Sequence, residues 1–69
     1  MIEVFATNVQ DAAEAKRIVG LLARHFPGSK INFDLDDCDN ILRVEGKNFT
    51  VDSVMLLVKE TGFVCNVLE

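Results

Sequence analysis

The chain has 69 residues, 49% of them hydrophobic and 26% charged, with a net charge of −4. That length predicts one small domain over 1–69, whose core supplies roughly 3–5 kcal/mol of net stability. The acidic balance opposes a broad nucleic-acid footprint, which needs a basic field to displace counterions, and no apolar run approaches the ~20 residues of a membrane span.

The start, MIEVF, carries an acid where a signal peptide has a basic flank. Two cysteines are too few for a disulfide scaffold. A cytoplasmic protein with reduced thiols is expected, with no nucleic-acid or membrane partner. Residues 2–6, IEVFA, alternate with Ile2, Val4 and Ala6 on one face and predict a strand whose inward side is that set. Thr7 or Asn8 then suits a helix N-cap, with Gln10 or Asp11 completing a capping box. Ala12, Ala15, Val19, Leu22 and Phe26 recur at three- or four-residue steps, a single buried stripe. Arg24 and His25 suit the negative end of the helix dipole, and Pro27-Gly28 stops the helix.

In KINFDLD, residues 30–36, Ile31, Phe33 and Leu35 share one face, which predicts a second strand. Asp36 to Asn40 form a turn, and ILRVE, residues 41–45, returns with Leu42 and Val44 inward. Thr50 caps a second helix over 51–61 with Val51, Val54, Met55 and Val58 inward, and Gly62 suits its C-terminus. Phe63 to Leu68 make the last strand, with Phe63, Cys65 and Val67 inward. Each element has one apolar side to hide, so both helices must cover one face of a four-stranded antiparallel sheet. The expected fold is an α+β, ferredoxin-like βαββαβ sandwich with strand order 4-1-3-2.

With FPGSKINFDLD after the first helix, the LRVEG strand and TVDSVMLLVKETGF running into the last strand, the chain resembles the heavy-metal-associated domain, the copper-chaperone module. The resemblance covers nearly the whole chain. It implies a Met-x-Cys-x-x-Cys at the corner between first strand and first helix, whose two thiolates bind a soft cation such as Cu(I). Counting back from Phe26-Pro27 places those cysteines on Ala12 and Ala15, in the segment VQDAAEA. Alanine coordinates nothing, and no His or Met stands nearby in sequence. Asn8, Gln10, Asp11, Ala12 and Ala15 then mark a degenerate ligand loop, and function has to be argued from the site rather than the scaffold.

Cys38 and Cys65 are the fallback metal ligands. In the 4-1-3-2 order they sit on opposite sheet edges, three spacings of ~4.8 Å apart, which exceeds the ~7 Å Cα limit of a disulfide. Cys65 reads as a small core hydrophobe and Cys38 as a turn residue with an exposed thiol. The run DLDDCDN lacks the EF-hand alternation and its glycine, and reads as a solvated turn. His25 has no nucleophile or orienting partner, and no phosphate loop or zinc spacing occurs, so no enzyme is expected.

Two surface features point outward. Lys16, Arg17, Arg24 and Lys30 make one end basic while Asp34 to Asp39 make another acidic, a pattern that steers a partner. The uncovered sheet face is expected to display Phe5, Ile41, Val64 and Leu68 as an apolar strip of the kind that marks an interface, with Leu56 a weaker candidate on the second helix. The expected function is a non-enzymatic protein-interaction module without cofactor, with a homodimer through the open sheet face as one arrangement. The alternatives are residual metal trafficking through Cys38 or Cys65, completed across a dimer, and a small-molecule regulatory domain.

Overall fold

A computed structural model describes residues 1–68. The chain runs β1 (Ile2–Thr7), α1 (Ala12–His25), β2 (Lys30–Asp34), β3 (Ile41–Glu45), α2 (Val51–Glu60) and β4 (Cys65–Val67). The strands form one antiparallel sheet in the order β2-β3-β1-β4, the expected 4-1-3-2 order read from the other edge. Helix α1 packs over β2, α2 packs over β4, and the helices touch each other. A single core lies between them and the sheet. Phe5, Val9, Ile18, Leu22, Leu42, Val44, Val54 and Val58 are completely buried within it. The rings of Phe26 and Phe49 meet edge to face at 6.4 Å and close one end.

The helix boundaries follow from local chemistry. Asp11, not Thr7 or Asn8, caps α1: its Oδ1 accepts the Ala13 N–H at 2.7 Å. The buried stripe of α1 is Ala15, Ile18 and Leu22, continued by Phe26. Val19 is half-buried and Ala12 is exposed, so the stripe is rotated toward Ile18 relative to the expected one. Thr50 caps α2 through a reciprocal box with Ser53. Gly28 and Gly62 leave the two helices at φ +84° and +95°, a region that disfavours any Cβ.

Strand β1 corrects one expectation. Phe5 stands opposite Leu42 and Glu3 opposite Val44, and directly opposed residues share a face. Phe5 therefore points into the core, and Ile2, Val4 and Ala6 point to the open face, the reverse of the expected phase. A shift of one residue exchanges the whole set, and the large ring wins the buried side because it hides more surface than a valine. The expected inward faces of β2, β3 and β4 are the observed ones. Strands β2 and β4 form the sheet edges, and β4 has only three residues.

Candidate functional site

The corner after β1 is tied down on both sides. The Thr7 N–H donates to the Asp39 carbonyl at 3.0 Å and the Thr7 hydroxyl to the Asn40 carbonyl at 2.6 Å, which ties the 36–40 turn to the end of β1. Thr7 Oγ1 in turn accepts the Val9 N–H at 3.1 Å. On the other side Asn8 N–H donates to the Val64 carbonyl at 3.3 Å, and Val64 N–H donates to Asn8 Oδ1 at 2.9 Å. These long-range partners are why neither Thr7 nor Asn8 caps the helix. Val9 plugs the corner from below with no solvent exposure. Gln10, Asp11 and Ala12 are exposed, whereas Ala15 is 5% exposed with its methyl group in the core.

The 36–40 turn is held by its own carboxylates. Asp34 Oδ1 accepts the Asp36 N–H at 3.2 Å, Asp37 Oδ1 accepts the Asp39 N–H at 2.9 Å, and Asn40 N–H donates to the Asp37 carbonyl at 3.0 Å. Asn40 takes a left-handed φ of +48°, which asparagine tolerates better than most residues. Among the described residues, Asp37, Cys38 and Asp39 form the one trio of metal-competent side chains, with donor atoms within 4.8 Å of one another and all exposed.

Those donors suit a soft cation poorly. One thiol and two carboxylates on consecutive residues mix soft and hard ligands, and Asp37 already spends an oxygen on a backbone N–H. The second thiol does not join them. Cys65 opens β4, separated from the β2 edge by β1 and β3, and is 4% exposed. Burial pushes its thiol up to about 11, so it stays protonated at neutral pH. Both cysteines are free. The His25 Nδ1 lies 3.1 Å from the Leu21 carbonyl at the end of α1, on an exposed surface.

The other candidate is the open sheet face, where the register sets each position. One row across the sheet reads Asn32, Arg43 and Val4, extended to Leu68 by its N–H to the Val4 carbonyl at 2.9 Å. A neighbouring row reads Lys30, Glu45 and Ile2, and the row on the other side reads Asp34 and Ile41, with Ala6 opposite Asn66. The apolar strip therefore exists with a changed membership: Ile2, Val4 and Ala6 replace Phe5 beside Ile41, Val64 and Leu68. Ile2, Val64 and Leu68 are 49%, 50% and 42% exposed. The signal for the missed residues was present in the alternation of IEVFA, with its faces read in the wrong order. Leu56 is exposed on α2, where it lines a groove of about 370 Å³ with Val64 and Lys59.

A βαββαβ sandwich with this strand order and two helices on one face is the ferredoxin-like fold. Solved structures that share it are the yeast copper transporter domain Ccc2a in its apo and Cu(I)-loaded states, and a chain of the Atx1–Cu(I)–Ccc2a complex. In each case the TM-score is 0.73 with 20% identity, over 99% of this chain and 94% of the other. Likeness at that identity establishes the fold. No family model and no curated protein sequence matches the chain.

Proposed function

We propose that this chain is a non-enzymatic binding module of the cytoplasm, a heavy-metal-associated-like domain whose corner holds no thiolate pair, with Ala12 exposed and Ala15, expected at a ligand-loop position, turned into the core, and which docks a protein through its open sheet face and charged ends. The observation that carries the reading is the corner itself: its polar groups bond to Asp39, Asn40 and Val64, and its side chains over 12–15 include no soft donor. The complex of two copper-trafficking proteins among the structural neighbours supports protein docking as a use of this scaffold. Among the described residues, no helix is long and apolar enough to cross a membrane.

A Cu(I) titration against a competing chelator tests the reading. Wild type is expected to bind no more tightly than about micromolar, since no thiol stands at the corner. Nanomolar binding by wild type refutes the reading. A second reading, metal binding at Cys38 completed by a second protomer, is favoured by the gathering of Asp37, Cys38 and Asp39. It requires a bound ion that Cys38→Ser releases.

A further inference from the structure

We infer that the open sheet face is the contact between two copies of this chain, packed face to face about a two-fold axis that crosses the strands at the Arg43–Val4–Leu68 row. The inference rests on the reading of the domain as a binding module and names the partner of its sheet face.

Charge is the first ground. The chain carries −4 in all, but the regular sheet rows carry Lys30 and Arg43 against Asp34 and Glu45, a balance of zero. Among the described residues the one ion pair is Arg17–Glu14 on α1, so the four sheet charges stand unpaired within the chain. Approaching this face, a second copy meets charges of both signs in an alternating pattern, with Asp37 at its border.

Symmetry is the second ground, because a two-fold contact requires a surface to complement itself. With the axis on the Arg43–Val4–Leu68 row, the Lys30 row of one copy faces the Asp34 row of the other. Lys30 then meets the partner's Asp34 twice over, once in each direction. Val4 and Leu68 meet their own counterparts, and Ile2 meets the partner's Ala6. The two Arg43 guanidinium groups lie between the two Glu45 carboxylates. Sheets in such packings sit about 10 Å apart with strand directions within about 30°, a gap that Lys, Arg and Glu side chains span.

Area sets the strength. Four strands at ~4.8 Å by about five residues at ~3.3 Å give a flat footprint of about 320 Å² per copy, small for a specific protein–protein contact. A weak dimer is expected, with a dissociation constant of about 10⁻⁴ M.

Sedimentation equilibrium from about 20 μM to about 2 mM reads it. Wild type is expected to pass from monomer to dimer across that range, and Val4→Asp to remain monomeric. Lys30→Asp and Asp34→Lys are each expected to weaken association at least about fivefold, since each creates two like-charge contacts, and the double variant is expected to restore it. Restoration separates lost docking from lost folding. A strict monomer at 2 mM, a dimer indifferent to Val4→Asp, or a double variant no tighter than the singles overturns the inference. So does a monomeric wild type whose sheet-face amides shift only when a different protein is added. Tight Cu(I) binding by wild type would instead overturn the module reading on which the inference rests.

Discussion

Replacing Phe5 by alanine tests the phase of β1 directly. The ring is wholly buried opposite Leu42, and truncating such a residue removes transfer free energy and leaves a cavity, about 3–5 kcal/mol together. A domain of this size holds only roughly 3–5 kcal/mol in reserve, so Phe5→Ala should show little or no cooperative urea transition by far-ultraviolet circular dichroism. Val4→Ala is the control one residue away. Val4 is half-buried on the open face, so losing two methylene equivalents at about half exposure costs about 0.8 kcal/mol. With a urea slope near 1 kcal/mol/M, its midpoint should fall by about 0.8 M while the transition stays sharp. If Val4→Ala is the more damaging change, β1 faces the other way, and both the core and the sheet-face strip are misassigned.

The Cys65 thiol, raised by burial from near 9 to about 11, makes stability fall with rising pH. Its contribution is complete below about pH 9 and is lost as pH climbs toward 11, up to about 2–3 kcal/mol; Cys65→Ala should flatten that limb in urea titrations at stepped pH. In the native protein, a thiol-specific alkylating reagent at pH 7.5 should label Cys38 and leave Cys65 unmodified, as mass spectrometry of the digest would show. Thr50→Ala removes the α2 capping box and should cost about 1 kcal/mol, or roughly 4–8 °C in Tm by calorimetry. Asn8→Ala deprives the Val64 N–H of its acceptor and should raise the hydrogen-exchange rate of that amide while leaving the amides of α2 protected.

Most of the architecture could be read from the residues because α2 and three of the strands show their apolar period plainly, whereas the stripe of α1 is rotated toward Ile18, which its three- and four-residue steps through Val19 hide. Ile31, Phe33, Leu42, Val44, Val54, Val58 and Cys65 face inward as their spacing predicts. In IEVFA the apolar residues fill both faces, so periodicity identifies a strand but not its inner side; only pairing with Leu42 decides it. Val9 and Phe49 lie in irregular segments, where no period announces a buried residue. The N-cap was illegible for a different reason. Thr7, Asn8 and Asp11 all have suitable side chains, and two of them are claimed by Asp39, Asn40 and Val64, which lie more than thirty residues away in sequence. The lack of a Cys-x-x-Cys was plain in the sequence, whereas the knitting of the corner to its two neighbours required coordinates.

The two margins of the sheet bear on how copies can meet. One margin displays Lys30 and Asp34 at its ends, and the other is the three-residue β4, too short to template much of a neighbour. Charged or abbreviated borders discourage side-by-side ribbon growth. Sideways polymerisation is thereby hindered without any element covering the flat side. At high concentration the borders thus offer a neighbour little, and the broad flat side is the larger surface left to meet one.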